Sequence, residues 1–187
     1  MYLKKAIYNN VGPLEIVNLD FSLNKEGNPK PIIIVGENGS GKSTFLSNIV
    51  DALYEMAGKE FRNALEKDDD SFGNQFYKVI TRTEIHINTS YMLSYLVFQG
   101  TSEYKYIFKN GSVTPKKFEE KFGLKNEVPC FEEKSSCKSV TINKKQSKEE
   151  WSNNVICYFG PDRYEQPSWL GDKYYNIEDF LHPTVQN

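Results

Sequence analysis

The chain is poor in the residues that build metal and disulfide sites. Its 187 residues hold three cysteines (Cys130, Cys137, Cys157) and two histidines (His86, His182). No Cys-x-x-Cys pair occurs, which excludes a zinc site of ordinary spacing. An odd number of widely spaced cysteines makes no disulfide framework, so all three are read as reduced thiols. An excess of charge of either sign is also lacking: 23 Lys and Arg stand against 25 Asp and Glu, for a net charge of -2. That balance gives no overall pull toward nucleic acid or an anionic membrane. The basic pairs Lys116–Lys117 and Lys144–Lys145 are read as solvated faces. No apolar run approaches the roughly 18 residues of a membrane helix, and the first residues lack the apolar stretch of a secretory signal. A cytoplasmic chain with no membrane partner is expected. Internal repeats and low-complexity tracts are absent.

What is present reads as one α/β unit over residues 1–187. Lys5 to Tyr8 is a short candidate strand, and Asn9 to Pro13 is turn chemistry. Leu14 to Leu23 alternates, with Val17, Leu19, Phe21 and Leu23 on one face. After a turn at Lys25 to Pro29, the β-branched run Ile32-Ile33-Ile34-Val35 suits a strand buried on both faces, as in a parallel sheet. An amphipathic helix should begin near Lys42, because Phe45, Leu46, Ile49, Val50, Leu53 and Met56 recur at helical spacing. Gly58 either ends it or is followed by an irregular helix through Phe61 and Leu65. Asp68 to Gly73 reads as an exposed loop. Tyr77 to Phe108 predicts an antiparallel meander of about three strands, broken at Asn88 to Ser90 and at Gly100 to Ser102, with Asn110-Gly111 as the next turn. The meander tyrosines Tyr91, Tyr95, Tyr104 and Tyr106 fall at strand spacing and are read as packing residues rather than a base-stacking surface. Pro115 to Phe122 predicts a short helix, with Thr114 as N-cap and Gly123 after its end. Lys134 to Lys148 is polar and is read as a hairpin or loop. Val155 to Phe159 predicts a strand that Gly160-Pro161 stops.

One segment carries chemistry. Gly36-Glu37-Asn38-Gly39-Ser40-Gly41-Lys42-Ser43 fits G-x-x-x-x-G-K-[ST] at every fixed position, and Thr44 follows. It comes after an apolar β-branched run and opens an amphipathic pattern, which is the context the motif requires. Gly36, Gly39 and Gly41 allow backbone conformations closed to residues with a Cβ, so that N–H groups can turn inward around a phosphate. The helix N-terminus adds unpaired N–H groups and the positive end of its dipole. Lys42 is expected on the β- and γ-phosphates, where it would act in catalysis. The Ser43 hydroxyl is expected on Mg²⁺, with Thr44 toward the α-phosphate side. The cofactors implied are ATP and Mg²⁺.

The loop, together with Asn10-Val11-Gly12-Pro13-Leu14-Glu15-Ile16 before it, resembles ATPases of the ABC/SMC/RecF group. That resemblance implies a P-loop NTPase with an ABC-ATPase-like N-terminal lobe, in which an antiparallel β-meander lies beside a mainly parallel core. It also implies an adenine contact near Tyr8 to Val11, and a homodimer formed through nucleotide-bound heads. The segment Val155 to Leu170, with Pro161-Asp162-Arg163-Tyr164-Glu165-Gln166-Pro167-Ser168-Trp169-Leu170, is similar to stand-alone prokaryotic anti-phage ATPases of the Septu and retron-associated type. A nuclease partner in antiviral defence is implied by that resemblance, and nucleic acid as a further partner remains open. In the group a glutamine senses Mg²⁺ and the γ-phosphate. Gln166 is the candidate here, with Gln99, at the end of Tyr91 to Phe98, as the alternative.

Other parts of such an enzyme are missing. No Ser-Gly-Gly signature occurs, and no apolar strand ends in Asp-Glu to support Mg²⁺ and activate water. Tyr174 to Asp179 has its acids reversed, and His182 comes after no such strand. An incomplete nucleotide-binding domain, completed by further chain or by a second polypeptide, is therefore expected. Two functions remain open: an ATPase that drives an effector, and an ATP-binding switch or scaffold with little turnover. A kinase is disfavoured, because Arg163 is the only arginine after Arg82 to build a lid.

Overall fold

A computed structural model describes residues 1–61, 64, 85–124 and 136–153. The chain divides into two compact units, Met1–Asn48 with Ile80–Thr141, and Ile49–Val79 with Ile142–Asn187.

The first unit is built on an antiparallel sheet. Strand β1 (Tyr2–Val11) turns through Gly12 and Pro13 into β2 (Leu14–Asp20). β3 (Tyr91–Gln99) and β4 (Glu103–Gly111) form the next hairpin, and β5 (Ser136–Val140) closes the row in the order β2-β1-β3-β4-β5. The register pairs Ile7 with both Asn18 and Tyr95, and Tyr95 with Ile107. Side chains alternate across the strands, so Ile7, Tyr95 and Ile107 share a face with Tyr91, Leu93 and Val97. That face packs with Val113 and Leu124, flanking the helix α2 (Pro115–Phe122), and with Phe122 at its end. On the other face Tyr8 meets Phe45 from the start of α1 (Lys42–Ala57) edge to face, with ring centroids 5.2 Å apart. Asn48 of α1 donates to Ser94 there at 2.9 Å. Both faces of β3 are therefore buried.

Several expectations hold. α1 starts at Lys42 and stops before Gly58. α2 has the expected bounds, and Gly123 comes after it at φ +64°, the left-handed conformation that glycine supplies after a helix. The hairpin break at residues 100–102 is where it was expected. Tyr91, Tyr95, Tyr104 and Tyr106 are at most 3% exposed, which makes them packing residues.

Others need correction. β1 is longer than Lys5 to Tyr8 and takes in Asn9 to Val11, because polar Asn9 is buried and bonded rather than turned out to water. Asn110-Gly111 ends a strand instead of forming a turn, and Gly111 takes its φ of +82° within β4. The mainly parallel core does not appear among the described residues, where every strand pairing is antiparallel. Ile32 to Val35 join no strand, and Ile33 and Val35 are 86% and 85% exposed. A β-branched run is buried only when neighbouring strands cover it, and no described strand pairs with this one. Of the stretch Lys134 to Lys148, expected as a hairpin or loop, the described residues from Ser136 form β5, paired antiparallel to β4, and then the start of a helix at Lys144. Cys137, on β5, is disulfide-bonded rather than free.

In the second unit, the remainder of α1 packs with α3 (Lys144–Asn153). Ala57, Phe61 and Ala64 form its cluster, with Tyr54 and Trp151 against them. Ser147 donates to the Met56 carbonyl at 2.9 Å, and Lys144 faces the buried Glu60 carboxylate at 3.5 Å. The expected first meander strand around Val79, the loop at Asp68 to Gly73 and the strand Val155 to Phe159 all lie outside the described residues.

Candidate nucleotide-binding loop

The loop begins where the run Ile32 to Val35 ends. Two of its glycines lie in the region that side chains rarely enter, Gly39 at φ +83° and Gly41 at φ +93°. The Ser40 N–H donates to the Glu37 carbonyl at 3.2 Å and tightens the turn. A Cβ on Gly36 would come within 2.8 Å of Ser40 Oγ, a contact the serine can relieve by rotating. The Phe45 N–H donates to the Gly41 carbonyl at 2.8 Å, which starts the helical ladder. The N–H groups of the residues just inside α1 have no partner within the helix. With the dipole end they form a cradle for an anion.

Lys42 lies in the first turn, its ammonium donating to the Gly36 and Glu37 carbonyls at 2.8 and 2.7 Å. The cation is thereby held over the mouth of the loop. Ser43 is exposed and Thr44 half-buried, while Glu37, Asn38, Gly39 and Ser40 are all exposed. The cradle, a lysine at its mouth and an exposed hydroxyl next to it fit a triphosphate with its Mg²⁺. Lys42 and the loop amides would hold the phosphates, and Ser43 the ion. Among the described residues no group of three His, Cys, Asp or Glu is placed to hold a metal by itself. A magnesium ion here would depend on phosphate oxygens.

The loop rests on the β1–β2 turn. A Cβ on Gly41 would fall 2.5 Å from Leu14 Cδ2 and 3.0 Å from Pro13 Cγ. Beside it opens a cavity of about 550 Å³, lined by Leu14, Val17, Leu19, Phe21, Ile32 to Val35 and Phe45. Gly36, Ser40, Gly41 and Lys42 of the loop line it as well. Sequence reasoning missed this cavity. The alternation of Val17, Leu19 and Phe21 was legible, but not that it would line a space against the run before the loop.

The remaining site residues divide. Gln99 ends β3 opposite Tyr2, at the start of β1, whereas the loop touches the turn after Val11, at the other end. Nine strand steps separate those ends, or about 30 Å. The Gln99 amide donates instead to the neighbouring Gly100 carbonyl at 3.2 Å. The structure does not bring Gln99 to the loop, and Gln166 lies outside the described residues. Of the segment Tyr8 to Val11, expected near adenine, only Asn10 is not fully buried. Tyr8, Asn9 and Val11 are fully buried, and the Tyr8 hydroxyl donates to the Phe45 carbonyl at 3.3 Å. The Tyr8 ring is part of the core and offers no face to a base.

Comparison with known proteins agrees with this geometry. A family model described as an AAA domain matches residues 6–181. The chain belongs to the AAA domain family. It is thus a P-loop ATPase family member with an α/β nucleotide-binding fold, as the ABC/SMC/RecF resemblance implied at that coarser level. No curated protein matches the chain. Among the described residues of this AAA domain, no helix is long and apolar enough to cross a membrane.

Proposed function

We propose that this AAA domain binds Mg-ATP at Gly36 to Thr44 and, once its site is complete, hydrolyses it to drive an effector. The carrying observation is the loop itself. Left-handed Gly39 and Gly41 lead into the N-terminus of α1, and the Lys42 ammonium is held at the mouth. Lys42 is the residue on the β- and γ-phosphates and the catalytic group, and Ser43 is the Mg²⁺ ligand, with Gln166 as its second. Completion through a homodimer with nucleotide between two heads, around a mainly parallel core, is implied by the ABC/SMC/RecF resemblance. A nuclease effector in anti-phage defence is implied in the same way by the Val155 to Leu170 segment.

A second reading, an ATP-held switch with little turnover, has its own support. The sequence carries neither a Ser-Gly-Gly signature nor an apolar strand ending in Asp-Glu. Phosphate release from Mg-ATP, measured across protein concentrations with Lys42→Ala as control, separates the two. Release that rises with concentration and vanishes in Lys42→Ala supports the ATPase. Tight Mg-ATP binding without release supports the switch. Failure of the wild-type chain to bind Mg-ATP at all would overturn both.

A further inference from the structure

His86 is one of two histidines in the chain and plays no part in the nucleotide loop by sequence position. It nonetheless sits against the β1–β2 turn. Its Nδ1 is 2.6 Å from the Gly12 carbonyl oxygen. A carbonyl only accepts, so Nδ1 carries the proton and donates. Nε2 lies 3.6 Å from the Glu15 carboxylate, on the far side of the same turn. The backbone around His86 is tied to the hairpin as well: Ile85 bridges Val11, and the His86 N–H donates to the Asn10 carbonyl at 3.0 Å. Thr89 bonds back to the His86 carbonyl through both its N–H and its hydroxyl, at 3.1 and 2.7 Å. The next two residues of the turn, Pro13 and Leu14, are those on which Gly41 of the phosphate loop rests.

We propose that His86 is a positioning residue for the phosphate-binding loop. By donating from Nδ1 to the Gly12 carbonyl it holds the turn that supports Gly41, and through Gly41 it sets the loop amides and the start of α1. The Gly12-Pro13 turn is flanked by the Val11–Leu14 strand pair, and the imidazole adds the side-chain hydrogen bond at its tip. Gly12 adopts φ +51°, and Pro13 has no N–H to donate. The segment 85–90 therefore acts as a strap over the hairpin tip, and the imidazole is its fastening. The inference rests on the reading of Gly36 to Thr44 as the Mg-ATP site, but the strap itself can be tested without nucleotide.

The test uses the whole 187-residue chain as wild type, His86→Ala and His86→Asn, whose side-chain N–H can reach the same carbonyl. Amide hydrogen exchange without nucleotide is expected to quicken about fivefold at Gly39 to Phe45 in His86→Ala, the scale of one lost hydrogen bond. It should stay unchanged at Val97 and Phe98, at the far end of the sheet. Mg-ATP binding should weaken by a similar factor, and His86→Asn should restore both. Nitrogen-15 spectra of the wild-type imidazole should show the proton on Nδ1, a readout that does not depend on any variant folding. Unchanged exchange in the loop, equal loss in the Ala and Asn variants, or a neutral ring protonated on Nε2 would each overturn the proposal. A wild-type chain that shows the exchange pattern but binds no Mg-ATP would overturn the functional reading and leave the strap standing.

Discussion

Gly41 of the phosphate loop lies against Leu14 so closely that a single added carbon would sit 2.5 Å from Leu14 Cδ2. The same residue has φ +93°. The glycine in the motif is thus required twice, once by the backbone turn and once by the hairpin under it. Gly41→Ala would meet both penalties, with about 1–3 kcal/mol for the backbone alone. The expected outcome is loss of Mg-ATP binding together with a lower unfolding midpoint. Gly39, at φ +83° with open space around it, provides the contrast: Gly39→Ala meets the backbone penalty alone. Comparing the two variants by denaturant unfolding measures the contact with Leu14 as their difference.

Asn48 and Ser94 are both fully buried, and the Asn48 amide donates to Ser94 Oγ across the interface of α1 and β3. The Asn48 side-chain oxygen Oδ1 has no hydrogen-bond partner among the described residues. Ser94→Ala would leave the amide nitrogen unpaired as well, at a cost of about 1–3 kcal/mol. Removing the polarity from both sides with Asn48→Leu and Ser94→Ala together should cost less than the two single changes summed. A double-mutant cycle read by thermal unfolding gives the coupling, and strict additivity would show that the pair contributes nothing.

Much of this is legible in the sequence because local chemistry decides it. The glycines and Lys42-Ser43 announce the loop, and the helical spacing of Phe45, Val50 and Met56 announces α1. Where polar residues fold inward is not legible in the same way. Ser47, Asn48 and Asp51 are buried in α1 beside the apolar positions, while Leu46, which spacing puts on the apolar face, is 45% exposed. The stretch around Lys144 reads as a loop by its polarity, although it carries a capping signal. Asn143 Oδ1 accepts from the Gln146 N–H, and Gln146 Oε1 from the Asn143 N–H, both at 3.0 Å. That reciprocal pair starts a helix even when the residues after it are polar. Gln99 is a candidate by its position along a strand. Only the register, with Tyr2 opposite it, shows that it belongs to the wrong end of the sheet.

Ile33 and Val35 make the disagreement over the parallel core measurable. Their side chains are almost wholly exposed here. Ile33→Thr and Val35→Thr should therefore change the unfolding free energy of this chain by no more than about 0.5 kcal/mol each. A strand buried on both faces would respond differently, losing on the order of 1–3 kcal/mol at each position from burying an unpaired hydroxyl and leaving a gap. Urea midpoints of the two variants decide which environment the segment has. A cost of the larger size would place Ile32 to Val35 inside a sheet.

Tyr91 offers a test of the first unit by pH. Its hydroxyl donates to Asn9 Oδ1, and burial holds its pKa above the ordinary 10.0. In the unfolded chain the phenol ionises near pH 10, while in the folded chain it keeps its proton longer. The folded state then binds more protons, so stability falls as pH rises. The contribution from Tyr91 is fully present below pH 10 and is lost as pH climbs through the raised folded value. Tyr54 shifts the same way through burial, whereas burial lowers Lys109, which titrates with the opposite sign on the acid side of 10.5. Variants should therefore be compared with one another rather than read singly. Tyr91→Phe is expected to lose about 1 kcal/mol at pH 8 through the missing hydrogen bond. Its urea midpoint should then fall less steeply than the wild type above pH 10, so that the two curves converge. Parallel curves would mean that Tyr91 ionises as freely in the fold as out of it, and that the Asn9 contact does not survive in solution.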